Sequence, residues 1–191
     1  MPILPADSKL AELMLFVSDR SADDERFGAT KLNKILFYAD FAAYLFLGAP
    51  ITGQEYQRLG NGPAPRRLVP VRDLLVANQE LAIQRVQYYG RPQERTIALR
   101  SARLAEFTAD EIALVTKIIE ENWTRNARQI SLKSHKFHGW EDAQDGEGIP
   151  YEVALLAKRK PSKFDKAKLR ASAALAAEVI AGKVEVVPLD A

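Results

Sequence analysis

The sequence predicts an α+β fold that is mainly α-helical, a compact helical domain with a small antiparallel β-hairpin. Apolar residues recur at helical spacing over residues 8–20 and 30–48, and they alternate with polar ones over residues 80–100. The chain has 191 residues, of which 47% are hydrophobic and 27% charged, enough for one domain with an ordinary core. We expect residues 1–160 to form this domain and residues 161–191 to add a C-terminal helix and tail packed on it.

The first two helices are the most strongly indicated. Ser8, a residue type common at N-caps, opens the first helix, and Thr30 opens the second. The second helix is apolar on nearly every side, which is typical of a buried central helix, and Gly48 lies where a C′ glycine would end it. Because buried polar groups need partners, we expect its lysines to occupy an exposed first turn and Asp40 to form hydrogen bonds within the fold.

A stretch rich in proline and glycine follows the second helix. It flanks a short extended segment, EYQRL, and Pro65 or Pro70 is placed to occupy the first position of a third helix. The hairpin comes next, with its turn expected at GRPQE, residues 90–94. Three helices followed by a hairpin are similar in outline to a winged helix. That outline leaves a DNA-binding regulator as an alternative, although folds with the same order of elements bind no DNA.

Capping signals define the later helices. Thr108 with Glu111 forms a capping box ahead of an apolar stripe, and ARQISLKSH is expected to be a short helix. Ser162 with Asp165 forms a second capping box, at the start of the last helix. Helices are therefore expected on both sides of the hairpin.

Composition excludes several classes of function. The chain contains no cysteine, which excludes disulfides, thiolate metal sites and cysteine nucleophiles. No secretory signal is readable, and the longest apolar run is interrupted by Asp40, so a cytoplasmic protein without a membrane span is expected. With 27 basic and 25 acidic residues, the net charge of +2 gives no general attraction to nucleic acid. The basic run over residues 157–168 has a single aromatic residue, which favours a solvated helix start over a nucleic-acid patch.

One cluster could carry enzyme chemistry. His135 and His138, with Glu141 and Asp142 nearby, have a spacing that could bind zinc or iron if they lay on one helical face. Gly139 weakens a helix at this point, and the H-E-x-x-H order of a zinc protease is absent, as are phosphate-binding and nucleophile-elbow motifs. We therefore expect no enzyme activity, no cofactor and no metal, and a structural or interface role for the histidines.

Two blocks of the sequence resemble one family. TKLNKILFYADFAAYLFLGAPITGQEYQRLGNGPAPRRL resembles the opening of the Panacea domain, the domain of SocA-like antitoxins of bacteria and phages, and SLKSHKFHGWEDAQDGEGIPYE is similar to a later block of that family. The resemblance covers roughly residues 8–155, with mild departures at Phe37, Ala64 and Lys133. Positions that match the family's motifs, and are expected to be structural, are Lys31, Leu32, Lys34, Tyr38, Asp40, Gly62, Pro63, His135 and Tyr151.

The resemblance implies a function that composition and periodicity do not give. It implies an antitoxin that neutralises a cognate toxin by direct binding, the toxin being encoded by a neighbouring gene. Some relatives act instead as adaptors that deliver the toxin to a AAA+ protease, which is the second reading that the resemblance leaves open.

A protein-binding surface needs a few anchors, typically tryptophan, tyrosine and arginine. The candidate exposed anchors are Tyr56, Arg58, Arg66, Arg67, Tyr88, Tyr89 and Trp140. Within residues 134–152, we interpret His135 as a hydrogen-bonding residue at a helix end and Trp140 as packing its loop onto the body. The carboxylates of this stretch are expected to be mostly solvated.

Overall fold

The computed structural model describes residues 2–156 and five single positions of the C-terminal region. Those positions are Ala173, Ala174, Ala177, Glu178 and Ala181. The predicted capping box of Ser162 and Asp165 and the basic run over residues 157–168 lie outside the described residues. Within them the fold is α+β, mainly helical, with small antiparallel sheets, as the sequence predicted.

The described residues form α-helices, β-strands and short 3-10 helices. The α-helices are α1 (Ser8–Arg20), α2 (Ala29–Leu47), α3 (Leu68–Ala77), α4 (Ala109–Asn122), α5 (Ala127–His135) and α6 (His138–Asp142). The strands are β1 (Tyr56–Gln57), β2 (Ala64–Pro65), β3 (Leu81–Tyr88), β4 (Arg91–Ala98) and β5 (Gly148–Ile149). Short 3-10 helices cover Pro5–Asp7, Leu104–Glu106 and Tyr151–Leu156. One antiparallel sheet has the order β2-β1-β5, and the other is the β3-β4 hairpin.

Helix α2 lies at the centre of the molecule. It contacts α1, α4 and α5 as well as β2 and the last 3-10 helix. Ile35, Leu36 and Ala39 are 0% exposed, as expected for a helix that is apolar on nearly every side. Gly48 ends α2 with φ +90°, a left-handed conformation that glycine adopts without steric cost. The predicted helix end is therefore confirmed.

The first helix begins where the sequence suggested, and the second begins one residue earlier. Helix α1 begins at Ser8, and its N-cap is Asp7, because a 3-10 turn leads directly into the helix. Helix α2 begins at Ala29, one residue before Thr30, after Gly28 in an extended conformation. Ser8 is therefore the first helical residue and not the N-cap that its residue type suggested.

Helix α3 corrects the prediction about its prolines. Its first residue is Leu68, so neither Pro65 nor Pro70 occupies the first position. Pro70 is tolerated in the first turn because an N–H group there has no intrahelical acceptor to lose. At α4 the prediction is confirmed: the Thr108 hydroxyl accepts from the Glu111 N–H at 3.2 Å, and the Glu111 carboxylate accepts from the Thr108 N–H at 2.8 Å.

The hairpin turns earlier than the sequence indicated. Tyr88 pairs with Arg91, which leaves a two-residue turn of Tyr89 and Gly90. Their φ angles are +49° and +72°, the type I′ geometry that matches the twist of the two strands. The prediction of a turn over residues 90–94 is wrong, because the positive φ values fall on Tyr89 and Gly90 and the following residues pair in β4.

The hairpin is fixed to the helices through its second strand. The Thr96 and Ser18 hydroxyl groups form a buried hydrogen bond of 2.7 Å that joins β4 to α1. The Arg95 guanidinium donates to the Ala22 carbonyl at 2.6 Å, in the loop between α1 and α2. These contacts hold the hairpin so that its tip lies beside the start of α5.

The small sheet confirms the predicted extended segment EYQRL. Tyr56 and Gln57, within EYQRL, form the central strand, and Ile149 pairs with Tyr56 from the other side. No helix among the described residues has the length and apolar character needed to cross a membrane.

Candidate functional site

The two lysines of α2 are buried, against expectation. Lys31 and Lys34 are 1% and 0% exposed, because loops around α2 supply acceptors inside the fold. Lys31 forms a buried ion pair with Asp24 and donates to the Trp123 carbonyl at 2.8 Å, whereas Lys34 donates to the Pro63 carbonyl at 2.8 Å. Burial lowers the pKa of Lys34 to about 7, and it also lowers the pKa of Lys31 although Asp24 opposes the shift.

The loop over residues 58–63 closes on Lys34. Gly62 has φ +100°, and a Cβ atom there would lie 2.3 Å from Ser134 Oγ and 2.8 Å from Lys34 Cε. The Ser131 hydroxyl donates to the Asn61 carbonyl at 2.7 Å, which ties the same loop to α5. Glycine is therefore required for this loop to lie against α2 and α5.

Asp40 is the second buried polar centre of α2, as predicted. Its carboxylate accepts from the Thr52 N–H at 2.7 Å and from the Tyr56 hydroxyl at 2.8 Å. Burial raises the pKa of Asp40 even though these hydrogen bonds oppose the shift. Tyr56 is 1% exposed, so the prediction of an exposed anchor at this position is wrong.

The remaining motif positions of α2 and the C-terminal 3-10 helix are also part of the packed body. Leu32 lies in the main core at 2% exposure. Tyr38 is half-buried, with the Lys133 ammonium 4.7 Å from its ring centroid. Tyr151 donates its hydroxyl to the Gln54 carbonyl at 2.6 Å. Their contacts are those expected of structural residues.

Both Arg58 and His135 lie against the Trp140 ring, and we call these three residues the ring stack. The Arg58 guanidinium lies 4.5 Å from the Trp140 ring centroid, and the His135 ring lies parallel to Trp140 at 3.9 Å. Arg58 Nε donates to the Trp140 carbonyl at 3.0 Å, and Trp140 Nε1 donates to the Leu59 carbonyl at 2.9 Å. Trp140 therefore fixes its loop to the body, as interpreted from the sequence.

The two histidines have different partners. His135 is the last residue of α5, with Nε2 3.4 Å from the Ser131 hydroxyl, and burial lowers its pKa. His138 Nδ1 lies 3.6 Å from the Glu141 carboxylate, whose side chain is 50% exposed. In residues 2–156 and the single positions described beyond them, no group of three or more histidine and carboxylate side chains could hold a metal ion.

Two predicted anchors are arginines held at the surface by hydrogen bonds. Arg66 donates to the Gln57 side chain and to the Gly146 carbonyl, each at 2.8 Å. Arg67 forms a 2.7 Å ion pair with the buried Asp7. Each side chain is 41% exposed, so both remain accessible to a partner while contributing to the fold.

The last two predicted anchors lie at the tip of the hairpin. The Tyr88 and Tyr89 rings meet edge to face with centroids 4.7 Å apart, and Tyr89 is 88% exposed. They line a surface cavity of about 530 Å³ together with Arg26, Arg91 and Arg128. We call this cavity, defined by the two tyrosines and three arginines, the arginine pocket.

Sequence reasoning missed the arginines of this pocket. Arg26 lies between α1 and α2, Arg91 begins β4, and Arg128 lies in the first turn of α5. In the part of the chain that the structure describes, none of the three side chains has an ion pair or a hydrogen bond. Because they belong to three distant segments, only the type I′ turn and the packing of the hairpin bring them together, and no local motif could have signalled them.

The fold and these features define a helical domain that has a hydrogen-bonded interior and presents arginine and tyrosine side chains at its surface. The family model described as Antitoxin SocA-like, Panacea domain, matches residues 32–141, and the chain belongs to this family. Comparison with curated proteins gives no match, and neither does comparison with solved structures. The resemblance drawn from the sequence is therefore confirmed.

Proposed function

We propose that this protein is an antitoxin that neutralises a cognate toxin by binding it directly, in the cytoplasm. Membership of the SocA-like antitoxin family, over residues 32–141, is the observation that carries the proposal. The partner would be the product of a neighbouring gene, and neutralisation would require a stable complex and no chemical step.

The surface chemistry supports a binding role. Arginine, tyrosine and tryptophan dominate the energetics of protein interfaces, because they combine a large contact area with directional hydrogen bonds. The predicted anchors Arg58, Arg66, Trp140, Tyr88 and Tyr89 all keep part of their side chains accessible. Hydrogen bonds hold Arg58, Arg66 and Trp140 in place. Anchors that are ordered before binding lose less conformational entropy when a partner docks.

Co-expression with the product of the neighbouring gene tests the proposal. We expect that product to arrest growth when it is expressed alone, and this protein to restore growth and co-purify with it. Toxin abundance should be unchanged by this protein, because direct binding does not need degradation. A neighbour that is not toxic, or toxicity that this protein does not relieve, would count against the antitoxin function. Relief that requires a AAA+ protease and removes the toxin would point to the adaptor instead.

A further inference from the structure

We propose that the arginine pocket binds an acidic segment of the toxin, and this inference rests on the proposed antitoxin function. The pocket is an open cavity of about 530 Å³ between the hairpin tip and the start of α5. That volume is in the range of cavities that hold a few side chains or a small ligand. Its wall is built from separate parts of the chain, so it exists only in the folded domain.

The charge of the pocket defines the chemistry of its occupant. Its lining contains Arg26, Arg91 and Arg128 but no aspartate or glutamate. Asp24, close to Arg26 in the chain, is buried and engaged by Lys31. Three like charges around one cavity repel each other, and an anion placed between them removes that repulsion.

Elsewhere in the described part of the chain, arginines commonly have carboxylate partners. Seven of them lie within 4.0 Å of a carboxylate oxygen, and they are Arg58, Arg66, Arg67, Arg72, Arg85, Arg100 and Arg103. The pocket arginines differ from these because the described residues provide them with no acceptor. A guanidinium fork matches a carboxylate by two parallel hydrogen bonds, so the unfilled donors suit aspartate or glutamate side chains of a partner.

The aromatic part of the pocket favours a polypeptide over a bare anion. Tyr88 and Tyr89 provide apolar ring faces next to the arginines, and the 88% exposure of Tyr89 leaves a large area for a partner to cover. The first-turn N–H groups of Ala127 and Arg128 add partial positive charge from the helix terminus. An acidic segment with interspersed apolar side chains would satisfy both the arginines and the rings.

The pocket is preorganised by contacts on each of its sides. Residue Gly28 lies so close to the hairpin that a Cβ atom there would be 2.8 Å from Gln93 Cγ, which fixes β4 against the loop carrying Arg26. At α5, Asn126 and Gln129 form a reciprocal capping box with two hydrogen bonds of 2.9 Å. These contacts fix the backbone around the three arginines, which reduces the backbone entropy lost on binding.

A peptide-binding experiment tests the pocket without any toxin. The probe is a fluorescein-labelled hexaglutamate peptide, compared with hexaglutamine at low salt by fluorescence anisotropy. We expect the protein to bind hexaglutamate saturably and the double variant Arg91→Glu/Arg128→Glu to bind it at least about tenfold more weakly. The matched control Arg72→Glu/Lys136→Glu changes the net charge equally outside the pocket, and should stay within about twofold of the unmodified protein. If the charge-reversal variant does not fold, Arg91→Ala/Arg128→Ala takes its place.

Three results would overturn the inference. One is equal binding of hexaglutamate and hexaglutamine, and another is equal loss in the pocket and control variants. The third is a double-stranded DNA oligonucleotide that displaces the peptide at lower concentration than unlabelled hexaglutamate does, because it would assign the pocket to nucleic acid.

Growth rescue separates this inference from the proposed function. If the unmodified protein fails to relieve toxicity of the neighbouring gene product, the antitoxin function is wrong. If the unmodified protein and the Arg91→Glu/Arg128→Glu variant relieve toxicity equally, the antitoxin function stands and the pocket does not bind the toxin. Relief by the unmodified protein and the control variant, with loss in the pocket variant, supports both.

Discussion

The ring stack and the arginine pocket both combine arginine with aromatic side chains, but the arginines have different partners in the two regions. In the ring stack, Arg58 lies over the Trp140 ring, donates to the Trp140 carbonyl and is 3.8 Å from the Asp145 carboxylate. In the arginine pocket, Arg91 and Arg128 lie beside two tyrosine rings and have no acceptor in the described residues. The comparison shows that an arginine next to an aromatic ring stabilises the fold where acceptors lie within reach. Where the described residues offer none, its donors remain available to a partner.

The largest effect is expected from Gly62→Ala, which should disrupt the loop that carries Arg58. The added Cβ would meet Ser134 Oγ at 2.3 Å with φ at +100°, so we expect the free energy of unfolding to fall by about 3 kcal/mol. Gly53→Ala is the matched control, because Gly53 also has positive φ, +67°, but nothing within 4 Å of the added atom. It should cost about 1 kcal/mol. Equal losses in urea denaturation would show that the close packing of this loop is unimportant.

A smaller loss of stability should distinguish the ring stack from the arginine pocket. Trp140→Ala removes the ring that Arg58 and His135 both contact, together with the hydrogen bond to Leu59, so we expect a loss of about 2 kcal/mol in unfolding free energy. Tyr89→Ala changes a side chain that is 88% exposed, and should alter stability by less than about 0.5 kcal/mol while weakening toxin binding. The comparison would fail if Tyr89→Ala destabilised the protein as much as Trp140→Ala.

The smallest predicted change in stability concerns the buried ammonium group of Lys34, which lies beneath the loop over residues 58–63. Burial lowers the pKa of Lys34 to about 7 from its ordinary value of 10.5, so between these values the unfolded chain binds more protons than the folded one. Stability should therefore rise with pH in this window, by about 1 kcal/mol between pH 7 and 9 after allowance for solvent relaxation. Lys34→Met should reduce the rise to the part contributed by Lys31 and Lys133, whose pKa values burial also lowers, as measured by urea denaturation at several pH values.

The chosen pH window also isolates Lys34 from its neighbour. Burial lowers the pKa of His135, so its own contribution is lost as pH falls below about 6.5 and lies outside the range compared. A rise in stability of undiminished size in Lys34→Met would assign the pH dependence to other groups.

Local patterns predicted the helices well. The apolar run of α2, Gly48 at its end and the Thr108 capping box follow from neighbouring residues, and the structure confirms them. The predicted environment of the α2 lysines and the turn of the hairpin were wrong. Acceptors for the lysines come from Asp24, Trp123 and Pro63, which lie outside α2. The turn depends on two consecutive positive φ angles, and tyrosine is not a residue type that indicates such a conformation.

The arginine pocket could be predicted from the sequence only in part, because it depends on tertiary packing. Tyr88 and Tyr89 could be singled out as aromatic residues at the end of a predicted hairpin. Arg26 and Arg128 could not, because their proximity depends on how α1, α5 and the hairpin pack. Whether an arginine is satisfied is a property of tertiary structure, since its acceptors can come from any segment of the chain.

Calorimetric titration of the purified neighbouring gene product into this protein tests the central claim most directly. The comparison is between the unmodified protein, Arg91→Glu/Arg128→Glu and the control Arg72→Glu/Lys136→Glu, each with its melting temperature measured. We predict that the pocket variant binds at least about tenfold more weakly at an unchanged melting temperature, while the control stays within about twofold. Equal affinity of all three proteins for the toxin would contradict the assignment of the arginine pocket as the binding surface.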